Sequence, residues 1–156
     1  MTQQASLKLV GREMLAMTNQ DIETLVSRQL QRMTALNHQA RLTGKTEDRY
    51  SYLAAVYNCA VLWNDTPTRQ MIASTLAPKA VAPPDIFWFI DRITRLTSDD
   101  DRRLQEKHRA ALKCAAFRSI APEKVVIHIE KRGGLNACAA SFRRQRSRQL
   151  RQRETF

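Results

Sequence analysis

The sequence predicts an all-α protein, a helical bundle of about five to seven helices with a basic C-terminal helix or arm. Only 4 glycines and 5 prolines interrupt the 156 residues. The abundant Ala, Leu, Gln, Arg and Met side chains lose little rotamer freedom in a helix. Apolar residues also recur at spacings of three and four, which places them along one side of each predicted helix.

The first strong helix is predicted to begin after Thr18 and Asn19 and to end at about Leu42. Thr18 and Asn19 are helix-capping residue types, and acidic residues follow in the first turn, where they suit the helix dipole. The apolar stripe of this helix consists of Ile22, Leu25, Val26, Leu30, Met33 and Leu36. Before it, residues 7–17 suggest a short helix that Gly11 weakens.

Two further helices are predicted before the proline-rich corner at residues 77–84. The second helix covers residues 47–63. Its predicted inner face comprises Tyr50, Leu53, Ala54, Tyr57, Ala60 and Val61. Thr66 followed by Pro67 then signals a short third helix, because proline lacks an amide hydrogen that would be unpaired at that position anyway.

Residues 84–118 predict two more helices with different surfaces. The fourth helix starts near Pro84, and its apolar arc contains Ile86, Phe89, Ile90, Ile93 and Leu96. Ser98, which three aspartates follow, is predicted to cap the fifth helix. The inward side of the fifth helix is predicted to hold Leu104, His108, Ala111, Leu112 and Ala115. Its outer side is basic.

Residues 125–129 are apolar and β-branched almost throughout, so both a buried helix and a short strand are allowed, and we favour the helix. The glycine pair at 133–134 ends this element, and the last helix starts directly after it. The core contact of the last helix is predicted to come from Leu135, Cys138, Ala139 and Phe142.

The order helix, Gly133-Gly134, helix also suggests a helix-turn-helix in which residues 136–148 would enter the major groove of DNA. Ile129 lies four residues before Gly133 and is bulkier than the small residue wanted where two such helices cross closely. We therefore favour an ordinary helical hairpin over a true helix-turn-helix.

Charge is distributed unevenly along the chain. Residues 1–100 hold 11 basic and 10 acidic residues, a net charge of +1, whereas residues 101–156 hold 15 and 5, a net charge of +10. We accordingly divide the chain into a near-neutral bundle at 1–97, which is a candidate dimerisation region, a basic helical region at 98–142 and an arginine-rich arm at 143–156. A cationic end on a neutral body is typical of a protein that binds nucleic-acid phosphates.

The arm carries six arginines within residues 143–153. Their mutual repulsion predicts a segment that stays frayed until phosphates neutralise it. Arginine offers forked donors to phosphate oxygens and to guanine, and the interspersed glutamines can hydrogen-bond bases or backbone. The residues predicted to bind nucleic acid are Arg143, Arg144, Arg146, Arg148 and Arg151, with support from Arg102, Arg103, Arg109 and Lys113.

Trp88 is predicted to project away from the apolar arc of the fourth helix, on a face that it shares with Arg92 and Arg95. We interpret these three residues as a candidate partner-binding surface, either at a contact between subunits or as a platform for a base.

No motif for catalysis or for a cofactor is complete in this sequence. The end of a phosphate-binding loop appears at Gly44, but the glycine required earlier is Gln39. The three cysteines and three histidines never form a close pair of the kind that zinc sites use, so we expect free, buried thiols and no metal. We therefore expect neither an enzyme nor a cofactor.

The leading hypothesis is a small DNA-binding protein, either a transcriptional regulator or an accessory factor of a mobile element, that forms a homodimer. A module that docks on an acidic or nucleic-acid-binding protein partner is the alternative, and RNA is the third option. The sequence has no apparent export signal or long apolar run, and the arm lacks an apolar face opposite its cations. We therefore expect a cytoplasmic protein with no membrane partner.

Overall fold

The computed structural model describes residues 18–79 and 84–154. Within these residues it confirms the all-α prediction, with seven α-helices and no strand. The helices are α1 (Asn19–Thr43), α2 (Thr46–Asp65), α3 (Arg69–Leu76), α4 (Ile86–Thr97), α5 (Arg102–Phe117), α6 (Val125–Lys131) and α7 (Leu135–Glu154). The short helix predicted over residues 7–17 lies outside the described residues.

Helix α1 begins and ends as its sequence predicts. The Thr18 hydroxyl accepts a hydrogen bond from the Asp21 amide, and the Asp21 carboxylate accepts one from the Thr18 amide. These reciprocal bonds satisfy amide groups that would otherwise be unpaired at the helix start. Gly44, at φ 66°, ends the helix in the left-handed conformation that favours glycine.

Helix α2 is the central helix of the bundle, and it packs against α1, α4 and α6. Leu53, Tyr57 and Ala60 are buried as predicted, but Tyr52 and Trp63 are also fully buried. Because partners surround α2 on several sides, its buried surface is wider than the single stripe that its apolar spacing indicates. The Trp63 ring packs edge-on against Phe89 of α4, which joins the two helices.

Helices α3 and α4 begin later than predicted. Thr66 and Pro67 lie in a turn, and α3 starts at Arg69. Asp85 caps α4 by accepting a hydrogen bond from the Trp88 amide at 2.8 Å. Leu96, expected on the apolar arc of α4, is exposed, because Thr94 and Thr97 take the buried positions of the last turn and the Thr97 hydroxyl bonds Tyr52 of α2.

The cap of α5 is Asp101, which corrects the prediction of Ser98; the Asp101 carboxylate accepts a hydrogen bond from the Leu104 amide at 2.8 Å. Ser98 belongs instead to a buried polar corner between α4 and α5. There the side-chain amide of Asn37 donates to Asp100 at 2.9 Å and its carbonyl accepts from the Asp99 amide at 3.1 Å. These bonds connect α1 to the corner.

Residues 125–131 form helix α6, as we favoured, after a short 3-10 turn at Pro122–Lys124. Gly133 and Gly134 follow with φ values of 95° and 100°, a conformation that side chains with a Cβ rarely adopt. The Gly134 amide donates to the Ile129 carbonyl at 2.9 Å, which closes the end of α6. The expected order of helix, glycine pair and helix is present, and a DNA-reading helix-turn-helix stays the untested alternative to the helical hairpin that we favour.

The first half of α7 packs against α5 and contributes Cys138 and Ala139 to the core, with Phe142 partly buried at its edge. Beyond the core the helix continues through Glu154. We expected fraying there from the repulsion among arginines. Arg and Gln are strong helix formers, and cations near a helix C-terminus are favourable, so the anchored first half can extend into the arm.

His108 of α5 lies beside the polar corner in a dry environment. Its side chain is 1% exposed, and its Nδ1 is 3.8 Å from Asp100, too far for a hydrogen bond. The ring lies edge-on to Tyr52, whose hydroxyl bonds Thr97 at 2.7 Å. Burial lowers the pKa of His108 to about 4, and the charge of Asp100 opposes this shift only partly.

This burial predicts a loss of stability in mild acid. The unfolded chain binds a proton at His108 below its ordinary pKa of about 6.5, whereas the folded chain binds it only near pH 4. The free energy of unfolding should therefore fall between pH 6.5 and pH 4, with about 2 kcal/mol lost from pH 7 to pH 5. His108→Gln should remove most of this loss in urea titrations at the two pH values. His38→Gln, at an exposed site, should retain it, and equal losses in both variants would contradict the assignment.

Candidate nucleic-acid interface

The arginines of the arm are presented to solvent along α7. Arg143, Arg144, Arg146, Arg148 and Arg151 are all exposed. Residues 143–154 extend the helix by about 18 Å past the core. The structure therefore collects all five on one projecting helix.

The five arginines divide into two sets along the helix. Arg144, Arg148 and Arg151 recur at spacings of four and three, so they share one side of α7. Arg143 and Arg146 are three residues apart and share another. Leu150 is 52% exposed. The arm thus presents cations on more than one side and has no apolar face for a membrane surface.

The body of the protein does not neutralise this part of the arm. Within the described residues, Arg143, Arg144, Arg146 and Arg148 take part in no ion pair. Their positive charge is therefore available to an external anion, and several adjacent arginines of like charge make such binding favourable.

The four supporting residues on α5 fall into two groups. Arg102 and Arg103 are exposed, and Arg102 lies 3.5 Å from Glu106 one turn along the helix, a pair that solvent screens. Arg109 and Lys113 are largely covered, and both contact Asp91 of α4, at 3.6 Å and 2.8 Å. The single carboxylate of Asp91 offsets one of these two positive charges, and both side chains lie at the contact between α5 and α4. Nucleic-acid binding by Arg109 and Lys113 stays a prediction.

Trp88, Arg92 and Arg95 line one cavity of about 590 Å³ near the proline-rich corner. Trp88 is only partly exposed, and its ring packs edge-on against Phe89 with the centroids 5.2 Å apart. The Arg92 Nε donates to the Leu76 carbonyl at 3.0 Å, which ties α4 to the end of α3. Arg95 is exposed. Partner binding at this surface stays a prediction.

All three cysteines are free and buried, as we expected. The fold nevertheless assembles a cluster from residues that are far apart in the sequence. The thiols of Cys114 and Cys138 and a ring nitrogen of His128 all lie within 4.8 Å of one another. Two thiols and one imidazole are ligand types that zinc and other soft metal ions prefer.

Burial and the adjacent Cys114 thiol raise the pKa of Cys138 to about 12, so this thiol is protonated at neutral pH. Burial also lowers the pKa of His128, and Arg132 and Arg118 act in the same direction. A thiol with a raised pKa is a poor nucleophile. The cluster is therefore unlike the activated pair of a cysteine hydrolase.

Comparisons with known proteins matched no family model, no curated protein and no solved structure. Among the residues that the structure describes, no helix combines the length with the apolar character needed to cross a bilayer.

Sequence reasoning missed the thiol and imidazole cluster because its members are separated by 14 and 10 residues. Spacing identifies a metal site only when ligands come in close pairs on one loop or helix turn. A weak signal was available, since Cys138 occupies the predicted inward stripe of α7 and Cys114 adjoins Ala115 on that of α5. Only the packing of α5, α6 and α7 brings the three side chains together.

Proposed function

We propose that this protein binds nucleic acid, with duplex DNA as the preferred form, through the arginine-rich half of α7. The observation that carries the proposal is that the second half of α7 exposes arginines on more than one side. Four of these arginines form no ion pair among the described residues. Guanidinium groups bind phosphate oxygens well, because the planar fork of N–H donors can form two parallel hydrogen bonds to one phosphate.

The helical form of the arm favours duplex DNA over RNA. The major groove of B-form DNA admits an α-helix, whereas the deep, narrow major groove of A-form RNA does not. Cations on different sides of a helix suit a groove because phosphates border it on both edges. The arm also lacks aromatic residues between its arginines, and these are what single-strand binders use to stack bases.

The contribution of α5 to this interface rests mainly on Arg102 and Arg103. Both are exposed, whereas Arg109 and Lys113 are largely covered and share the single carboxylate of Asp91. Phosphate contacts of this kind position a protein on DNA without reading its sequence. Gln149 and Gln152 are exposed three residues apart on α7, and glutamine can pair with adenine in the major groove, whereas the side-chain oxygen of Gln145 is shielded from solvent.

The biological role that we propose is that of a transcriptional regulator or an accessory factor of a mobile element in the cytoplasm. The basic arm and the near-neutral bundle support this role, because the bundle can form a dimer while the arm binds DNA. Docking on an acidic protein partner is the competing function. A pulldown from nuclease-treated lysate distinguishes them, since a specific partner that survives the nuclease supports docking.

We propose further that the bundle forms a homodimer. A cavity of about 640 Å³ between α1, α2 and the 3-10 turn has half-buried apolar side chains at its edge, including Leu25, Leu36 and Leu62. A dimer would present two arms and so increase the effective affinity for DNA. Light scattering after gel filtration tests this proposal, and a monomer mass at tens of micromolar protein would contradict it.

Truncation after Phe142 should abolish DNA binding and leave the helical body intact. The last buried residue of α7 is Ser141, so the removed segment contributes little to the core. In fluorescence anisotropy the full chain should lose affinity with salt at a slope of roughly −4 to −5 on a log-log plot, as expected for about five neutralised phosphates. Retained affinity in a truncated chain with an unchanged circular dichroism spectrum would contradict the proposal.

A pair of matched double variants tests whether the position of the charge matters. Arg144→Gln with Arg148→Gln removes two exposed cations from the arm, and the salt slope should become shallower by about 2. Arg28→Gln with Lys45→Gln removes two exposed cations from α1 and from the turn that follows it, outside the proposed dimer contact. This control should keep the slope within about 0.5 of the wild-type value. Equal changes in the two variants would show that only net charge matters.

A further inference from the structure

A second candidate site lies where α5, α6 and α7 meet, and it is separate from the arginines of the arm. Cys114 comes from α5, His128 from α6 and Cys138 from α7. Their candidate ligand atoms lie within 4.8 Å of one another, and both cysteines are fully buried. Each of the three helices therefore places one possible metal ligand at the same point.

We propose that Cys114, His128 and Cys138 bind a single metal ion with affinity for thiolates, for which Zn²⁺ is the leading candidate. Two sulfurs and one imidazole nitrogen are the three protein ligands of an open tetrahedral zinc site. A fourth ligand, water or another small donor, completes such a set. This proposal does not depend on nucleic-acid binding.

One polar atom of the cluster lacks a hydrogen-bond partner in the described part of the chain, and this supports a bound ion at the site. The Nε2 atom of His128 is shielded from solvent and has no hydrogen-bond partner among the described residues. The Cys138 thiol donates a long hydrogen bond, 3.8 Å, to the Ala111 carbonyl and also interacts with the Cys114 thiol. Buried imidazole nitrogens are normally hydrogen-bonded, and a metal ion would satisfy a group that the protein leaves unpaired.

The charges around the cluster are compatible with a divalent ion. On binding, each thiol releases one proton and donates a sulfur lone pair, so two thiolates and Zn²⁺ sum to zero beside a neutral imidazole. Arg118 and Arg132 act electrostatically on both His128 and Cys138. These arginines favour the thiolates, and a neutral complex does not repel them. Arg132 is held in place by its hydrogen bond to Ser141 at 3.0 Å.

The proposed ion would act as a structural connection. It would join α7 to α5 and α6 at Cys138, four residues before the core contact ends at Phe142. Because the bound state exists only in the folded chain, metal binding stabilises the fold by mass action.

Metal content and spectroscopy test the proposal on the full, tag-free chain purified under reducing conditions. After equilibration with Zn²⁺ and gel filtration, we expect one zinc per chain. Titration with Co²⁺ should give a thiolate-to-cobalt charge-transfer band. Zinc should also slow alkylation of two of the three thiols. A chain with no zinc and no charge-transfer band would overturn the proposal, as would a Cys114–Cys138 disulfide that forms in air in the presence of zinc.

Matched variants assign the ligands. Cys114→Ser and Cys138→Ser should lose the charge-transfer band or shift it, and His128→Gln should weaken Co²⁺ binding by roughly 100-fold or more. Cys59→Ala removes a buried thiol that lies outside the cluster, so it should bind like the wild type. His128 is only partly buried, so its variant remains informative if the cysteine variants fail to fold. Unchanged Co²⁺ affinity in His128→Gln, or an equal loss in Cys59→Ala, would overturn the assignment.

Discussion

The packing of the first half of α7 against α5 is the contact on which the rest of this structure depends. Cys138 and Ala139 are small enough for the two helices to approach closely, and Phe142 closes the contact at its edge. This contact closes the core at the C-terminal end. It also sets the point at which α7 leaves the body, so the arginines that follow have no core to bury against.

The packing of the helices also decides which basic side chains form ion pairs and which stay hydrated. Where α5 lies against α4, a cation on its surface must be paired or lose its hydration, and Asp91 provides the partner for Arg109 and Lys113. Where α7 extends past the body, water hydrates the guanidinium groups and no such partner is required. Among the described residues, Arg143, Arg144, Arg146 and Arg148 therefore keep their positive charge outside any ion pair.

Much of the fold could be predicted from local patterns. Thr18 and Gly44 mark the ends of α1, the glycine pair ends α6, and the stripe ending at Phe142 describes how far α7 stays in contact with the core. Predictions failed where one residue type suits two structural roles, such as a helix cap and a contact to a remote helix. Ser98 is a residue type that commonly caps helices, yet it lies in the polar corner and contacts Asn37 of α1. Asn37 is 61 residues away, so no local pattern reveals this contact.

The sequence by itself determined the helical class, the ends of most helices and the basic character of the arm, because capping chemistry, apolar spacing and charge are properties of neighbouring residues. The tertiary structure alone decided which cations pair with Asp91, why His108 stays uncharged and which thiols lie beside His128. Each of these depends on desolvation and on distances between helices, and those quantities arise only when segments remote in the sequence pack together.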